Sequence, residues 1–274
     1  MDASTNGKEE HTMSDLGLLA PLTTIAQHTG KRLLDRERPA AARTLSELRS
    51  AFEAVDGPAS EALRTELARL RPQAGWADEL DLRLPRSGEV WVADAMDGAV
   101  QYLQGLPQWC VTITLVRDRV PVAVVLHCPP LGETYAAAAG HGATRDGAPI
   151  TPSAKAEATA TVIATSHPMF AAEQPTAMAR AGRSYRALLP EVRAIRNLGP
   201  TSWQLADTAA GRLDAFWMYG TDDVNLLGGA LIAREAGARV TDAQGAPWAA
   251  GADSLLVSGP QLHARFVELL RDVR

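Results

Sequence analysis

The sequence predicts a layered α/β fold. Apolar segments separated by short polar turns make up most of the first half, whereas strands and helices alternate in the second half. This pattern is typical of sheets that are covered by helices. The chain has 274 residues, of which 46% are hydrophobic, and this is enough for a substantial core. We expect a disordered tail over residues 1–14 and one domain over residues 15–274, with halves 15–155 and 156–274.

The first half is predicted to contain two helices followed by several strands. Apolar residues recur at helical spacing over 15–28 and over 59–70, and the second helix ends before Pro72. The polar turn Arg117-Asp118-Arg119 lies between two apolar runs and indicates a β-hairpin. The predicted strands of this half are residues 89–93, 111–116, 120–127 and 133–139.

The second half is predicted to alternate between strands and helices. Glycine directly follows two of the helical segments, at Gly211 and Gly237, as is common at the end of a helix. The predicted strands are residues 160–165, 192–196, 213–218 and 254–257, and the predicted helices are residues 171–188, 201–210, 226–236 and 261–273.

Charge and composition argue against several kinds of partner. Lys and Arg number 27 against 32 Asp and Glu, and the net charge of −5 gives no bulk attraction for nucleic acid or anionic lipid. The sequence has no run of 18 apolar residues and no apolar signal segment at its start. Cys110 and Cys128 lie in apolar surroundings without CxxC spacing. We therefore expect a cytoplasmic protein with reduced thiols and no nucleic-acid or membrane partner.

The most informative segment joins an apolar strand to two carboxylates. Asp94 and Asp97 follow the apolar run 90–93, and Gly98 comes next. A turn after a strand can direct two carboxylates at one point, and glycine lets the backbone approach a ligand. Carboxylate oxygens are ligands that suit Mg²⁺. On spacing alone, a turn that merely ends the strand is the commoner structure.

This segment resembles the signature of the inositol monophosphatase family. The resemblance runs from Trp91 through Ala99 to Pro107, and further segments follow the family in the same order over roughly residues 15–274. Those further segments are 111–125, 140–143, 146–150, 209–217 and 230–237.

The resemblance implies an αβαβα sandwich and a phosphatase in which Mg²⁺ binds a phosphate ester and activates a water. Asp94, Asp97 and the carbonyl of Met96 would hold the metal. The backbone amides of Gly98 and Ala99 would face the phosphate.

Two further ligand positions upstream are implied by the same resemblance. Asp78 or Glu79 would supply another metal carboxylate. The spacing does not decide between them, although the longer side chain of Glu79 favours that residue. Asp56 corresponds to an aspartate that holds the nucleophilic water, so Asp56, Glu79 and Asp97 are the expected catalytic residues. Asp56 also precedes Gly57-Pro58, and a simple helix cap fits this pattern equally well.

Departures from the family pattern affect both the water and the metal. Ala99 lacks the threonine hydroxyl that would position the water. Asn225 stands where the family has a metal aspartate, so it offers an amide oxygen without charge. Asp222 or Asp223 would need a shift of two or three residues to replace that aspartate.

The substrate-binding positions also depart from the family. Gly199, Pro200 and Thr201 replace the loop that touches the sugar or cyclitol, and Met218 replaces a glutamate that faces the substrate. We therefore expect a Mg²⁺-dependent phosphatase-like enzyme with weakened machinery and one or two Mg²⁺ ions. It would act on a small phosphorylated sugar, cyclitol or nucleotide and form a homodimer. Two alternatives stay open, namely a family member repurposed for non-hydrolytic biosynthetic chemistry or ligand binding, and a pseudoenzyme.

Overall fold

A computed structural model describes residues 14–77 and 84–273. Residues 1–13 of the predicted tail lie outside the described residues. The candidate ligands Asp78 and Glu79 also lie outside them. The helices are α1 (Leu19–Leu34), α2 (Leu45–Leu70), α3 (Ala99–Leu103), α4 (Pro175–Leu188), α5 (Thr201–Ala209), α6 (Asp223–Glu235) and α7 (Pro260–Leu270), with 3₁₀ turns at Leu16–Leu18, Ala158–Ala160 and Ala171–Glu173.

The strands form two sheets. They are β1 (Gly75–Ala77), β2 (Glu89–Asp97), β3 (Cys110–Arg117), β4 (Val120–Cys128), β5 (Glu133–Ala138), β6 (Ala143–Arg145), β7 (Ala148–Pro149), β8 (Val162–Thr165), β9 (Ala194–Arg196), β10 (Ala215–Tyr219), β11 (Arg239–Thr241) and β12 (Ser254–Ser258). Within the described ranges, the first sheet follows chain order from β1 to β7 and is antiparallel except for the β1–β2 pair. The second sheet has the order β11-β12-β10-β8-β9, in which β8 runs parallel to both β9 and β10.

Helices cover both sheets and also separate them. Helices α1 and α2 pack on one face of the first sheet, α5 and α6 lie between the sheets, and α4 and α7 pack on the outer face of the second sheet. The middle layer is tight, since a Cβ on Gly229 of α6 would lie 2.5 Å from the Cβ of Leu205 on α5. This arrangement confirms the predicted αβαβα sandwich.

The predicted hairpin is present between β3 and β4. Its two central residues, Asp118 and Arg119, have φ angles of 51° and 67°. Two consecutive residues with positive φ match the right-handed twist of the flanking strands. The Asp118 carboxylate also accepts a hydrogen bond of 2.9 Å from the amide of Gly88, which ties the turn to the start of β2.

Helix α2 begins fourteen residues earlier than the sequence predicts, because its true cap is Thr44. The Thr44 hydroxyl accepts a hydrogen bond from the amide of Glu47, and the Glu47 side chain accepts one in return. Pro58 therefore lies inside the helix, where it cannot donate to the carbonyl of Ala54. The Arg36 guanidinium donates to that carbonyl at 2.7 Å instead, so the helix continues. The interpretation of Asp56 as a helix cap is wrong.

Among the described residues, no helix combines the length and the apolar character needed to cross a bilayer.

Candidate active site

A cleft of about 440 Å³ opens where the end of β2 meets the starts of α5 and α6. The 166–169 segment after β8 forms a third side. Its described lining residues are Asp97, Gly98, Ala99, Val100, Gln101, Ser166, His167, Met169, Asn197, Gly199, Pro200, Thr201, Asp222 and Asn225. No lysine or arginine is among these described residues, whereas two carboxylates, Asp97 and Asp222, are.

Asp97 reaches the cleft because β2 continues four residues beyond its predicted end. The pairing of β2 with β3 shifts between Asp94 and Asp97, and Gly98 then turns the chain into α3 with a φ of 92°. A Cβ on Gly98 would lie 2.9 Å from the carbonyl oxygen of Gln108, so this turn requires glycine. The turn brings the Asp97 side chain and the Ala99 backbone to the same cleft.

Asp94 borders a smaller cavity next to the cleft. Its Oδ1 accepts a hydrogen bond of 2.6 Å from the amide of Met96, at the irregularity within β2, so the strand does not end in a turn at Asp94. Asn225 lines both the small cavity and the cleft. The Met96 side chain is 1% exposed and packs against Tyr102 and Trp109 in a small cluster.

Asp222 places a buried carboxylate beside Asn225 in the cleft. It precedes α6 directly, is 2% exposed and lines the cleft. Its Oδ1 accepts a hydrogen bond of 2.8 Å from the side-chain amide of Asn225. Its buried Oδ2 has no hydrogen-bond partner of normal geometry among the described residues, although the backbone amides of Met169 and Asn225 face the carboxylate. A buried carboxylate oxygen without a donor is costly, unless a cation or a ligand satisfies it.

Burial disfavours the charged form of both cleft carboxylates. It raises the pKa of Asp97 to about 6, with a further rise from the negative charge of Asp222 and an opposing effect of the Ser202 hydroxyl. Burial likewise raises the pKa of Asp222 to about 6, against the hydrogen bond from Asn225. Two carboxylates that face one cleft repel each other, and an added cation relieves this repulsion.

The oxygen donors fit Mg²⁺ in type, since that ion prefers a few carboxylates completed by water and substrate phosphate. Within residues 14–77 and 84–273, no three His, Cys, Asp or Glu side chains already stand together as a metal site. The donor set on the described side is two carboxylates and one amide, with Asp94 in the adjoining cavity.

Five predicted substrate residues line the cleft, and one does not. The five are Gly98, Ala99, Gly199, Pro200 and Thr201. The prediction for Met218 is wrong: its side chain is 1% exposed and packs with Phe216 in the core between the sheets. Along β10, alternate residues face α5 and α6 on one side and α4 and α7 on the other, so Met218 belongs to the inner face.

Asp56 lies in a separate pocket of about 230 Å³, together with Ser60, Arg64 and Trp76. Its two carboxylate oxygens each lie 3.1 Å from the Ser60 hydroxyl, and burial raises its pKa. Asp56 is therefore not among the described residues that line the cleft of Asp97, although the neighbouring Val55 packs in one cluster with Met96.

Sequence reasoning missed several polar residues of the cleft. Ser202 donates a hydrogen bond to Asp97 Oδ2 across 105 positions of sequence. Ser166, His167 and Asn197 line the opposite side. None of these residues belongs to a short motif, and the only local signal was the placement of Ser166 and His167 at the end of a predicted strand.

A model of the inositol monophosphatase family matches residues 18–274. The chain belongs to the inositol monophosphatase family. Members of this family are phosphatases, and the family is generally Mg²⁺-dependent.

Curated relatives agree with this assignment. The chain is 30% identical to the inositol-1-monophosphatase of Rhizobium meliloti, over 70% of this chain and 71% of the relative. It is 31% identical to the Nus factor SuhB of Pseudomonas aeruginosa, over 70% and 72% of the two chains. Among solved structures, the inositol monophosphatase from Anabaena superposes with a TM-score of 0.79 over 94% of this chain and 96% of the other, at 23% identity, which supports the fold.

Proposed function

We propose that this protein is a Mg²⁺-dependent phosphatase for a small phosphorylated sugar, cyclitol or nucleotide, with weakened machinery for positioning water. The observation that carries the proposal is the pair of buried carboxylates, Asp97 and Asp222, in a cleft whose described lining holds no lysine or arginine. A phosphate dianion is repelled by two carboxylates. Such a cleft therefore accepts a phosphate ester only when cations neutralise the carboxylates.

Asp97 and Asp222 are the proposed metal carboxylates of the cleft. The side-chain amide of Asn225 donates to Asp222 through its nitrogen, which leaves its oxygen as a neutral ligand. Asp94 and the carbonyl of Met96 are proposed ligands on the side of the small cavity, with Asp78 or Glu79 as a further carboxylate. When bound, Mg²⁺ polarises the phosphoryl group and lowers the pKa of a bound water.

Hydrolysis also needs hydrogen-bond donors for the phosphate and for the leaving group, and the walls of the cleft supply them. The backbone amides of Gly98 and Ala99 follow Asp97 directly and are the proposed phosphate donors. Thr201 donates to Ser166 at 2.8 Å, and this hydroxyl pair lies with His167 on the side proposed for the leaving group. Hydrogen bonds from fixed donors stabilise charge that develops during transfer.

The weakened machinery concerns the water rather than the metal charge. Ala99 lines the cleft but offers no hydroxyl, and Asp56 is not among the described residues that line it. Asp222 in contrast restores the negative charge that Asn225 lacks. We therefore propose slow hydrolysis, because general-base assistance is worth on the order of 10²–10⁴-fold.

Binding of a phosphorylated ligand without hydrolysis is the second candidate, and the absence of a hydroxyl at Ala99 favours it. Both candidates share the same site. We also propose that residues 15–274 form one domain, that the chain forms a homodimer as its family resemblance implies, and that it works in the cytoplasm, where its buried free thiols Cys110 and Cys128 would stay reduced.

The deciding experiment measures phosphate release from a panel of sugar, cyclitol and nucleotide monophosphates, with Mg²⁺ and with a chelator. We expect slow release from at least one ester, abolished by the chelator. Ala99→Thr is not expected to restore full activity, because Asp56 is not among the described residues that line the cleft. Tight binding of an ester without any release would favour the second candidate, and release that persists in the chelator would refute the metal-dependent mechanism.

A further inference from the structure

One oxygen of the Asp97 carboxylate faces donors from two distant parts of the chain. The Ser202 hydroxyl donates a hydrogen bond to Oδ2. The Cys110 thiol lies 3.9 Å from the same oxygen and 3.6 Å from the Ser202 hydroxyl. Asp97, Ser202 and Cys110 are 8%, 4% and 0% exposed. Bulk water therefore competes little for Oδ2, and the protein itself determines how this oxygen is held.

The start of α5 fixes the position of the Ser202 hydroxyl. Gln204 is 1% exposed, and its side chain accepts from the amide of Leu198 and donates to the carbonyl of Gly199, both at 2.9 Å. These bonds tie the segment before α5 to the first turn of the helix. Ser202 thus approaches Asp97 from a braced support, as a preorganised site requires.

We infer that Ser202 is a positioning residue for Asp97. Its hydroxyl holds Oδ2 of Asp97 against α5, so that Oδ1 of Asp97 is presented to a divalent cation in the cleft. This inference rests on the proposed function, because it gives Asp97 a cation. Ser202 itself acts only through Asp97. The proposal concerns a hydroxyl that no short sequence motif includes, and it explains why a buried polar side chain stands beside a buried carboxylate.

The expected size of the effect follows from outer-shell chemistry. Partners that orient a metal ligand are worth roughly 10–100-fold in metal affinity or activity. In Ser202→Ala, Oδ2 loses its hydroxyl donor, and the Cys110 thiol that remains beside it is a weak donor. The carboxylate then loses its fixed orientation, so we expect Mg²⁺ affinity to fall by about 10-fold or more, whereas kcat at saturating Mg²⁺ changes less.

The experiment is calorimetric titration of the metal-free full-length protein with Mg²⁺ alone, without substrate. Wild type is compared with Ser202→Ala, Cys110→Ala and Ser184→Ala. Ser184 is the matched control, since it is 0% exposed and its hydroxyl bonds to Ala181 and Trp217 on the outer side of the second sheet. We expect unchanged Mg²⁺ affinity in Ser184→Ala, a loss of less than threefold in Cys110→Ala and the largest loss in Ser202→Ala.

Failure of this inference is distinguishable from failure of the proposed function. If Ser202→Ala takes up Mg²⁺ with wild-type affinity, Ser202 does not position Asp97, and the proposed function stands. If wild type takes up no Mg²⁺, the proposed function and this inference are both overturned. If Ser202→Ala does not fold, Ser202→Thr replaces it, and the retained hydroxyl should keep affinity within threefold of wild type. A 10-fold loss in Ser202→Thr would overturn the inference.

Discussion

The two walls of the cleft have different origins in the chain. One wall, residues 97–101, is a continuous segment in which the end of a strand, a glycine turn and a short helix place each group next to the following one. The other wall combines the segment 197–201 with Asp222 and Asn225, which two separate helices bring together. Residues that are adjacent in sequence form the first wall, whereas the packing of distant segments forms the second. A sequence motif therefore reveals only half of this site.

The largest expected effect tests whether the second wall matters as much as the first. Asp97→Asn and Asp222→Asn should each lower Mg²⁺-dependent kcat/KM by on the order of 10²–10³-fold, since each removes one of two cleft carboxylates that stabilise the bound cation and the reacting phosphate. The measurement is steady-state phosphate release at several Mg²⁺ concentrations. Asp253→Asn is the control, because that side chain is 67% exposed, contacts Arg180 and the Ser254 hydroxyl, and is not among the described residues that line the cleft.

A result in which Asp97→Asn is inactive while Asp222→Asn stays within threefold of wild type would break the comparison. The second wall would then contribute shape but no metal ligand, and the raised pKa of Asp222 would reflect burial alone.

A smaller effect is expected from Asn225→Asp, which sharpens the same comparison. The Asn225 amide nitrogen donates to Asp222 at 2.8 Å, so the substitution replaces this hydrogen bond with a repulsion between two carboxylates. In metal-free buffer we expect Tm to fall by about 3–8 °C, which corresponds to roughly 2 kcal/mol for a chain of this size. Added Mg²⁺ should restore most of the loss. Thermal unfolding with and without Mg²⁺ measures both effects, and a loss that Mg²⁺ leaves unchanged would argue against a cation between these residues.

The parts that sequence could predict are those that short segments determine. Asp97 and Gly98 were identified because a strand, a carboxylate and a glycine are adjacent, and the layered fold followed from runs of apolar residues. Asp222 was only an alternative, since it lies three residues before Asn225, the position to which the resemblance assigns the metal aspartate. Ser202 was missed because its contact with Asp97 spans the chain.

The two wrong expectations have physical causes that the sequence hides. Met218 lies in a strand whose five residues are all buried, so no polar–apolar alternation shows which face meets the cleft. Asp56 looked like a helix cap because Pro58 follows it, yet Arg36 satisfies the carbonyl that Pro58 leaves open. In both cases a distant part of the chain decides the outcome.

The smallest expected effect is on the pH dependence of folding stability, which should have opposite signs for the cleft and for the core beneath α7. His263 on α7 is 8% exposed, with Nδ1 2.8 Å from the Ser258 hydroxyl and Nε2 2.9 Å from that of Thr241. Burial, with a smaller contribution from Arg239, lowers its pKa to about 4. The unfolded ring titrates near 6.5, so the folded state binds fewer protons between pH 4 and 6.5, and stability that is present above 6.5 is lost as the pH falls through this window.

The cleft carboxylates act in the opposite direction in metal-free protein. The pKa of Asp97 is raised to about 6, so protonation between pH 6 and 4 stabilises the fold rather than weakening it. His263→Gln should therefore lose less stability than wild type when the pH falls from 7 to 4.5. The expected difference is on the order of 1–2 kcal/mol, or about 3–6 °C in Tm. This is less than the full pKa shift would give, because the ring keeps partial hydration. Asp97→Asn should lose more than wild type over the same range. Thermal unfolding of the three proteins at both pH values measures this, and identical pH dependence in wild type and His263→Gln would show that His263 is not the group that titrates.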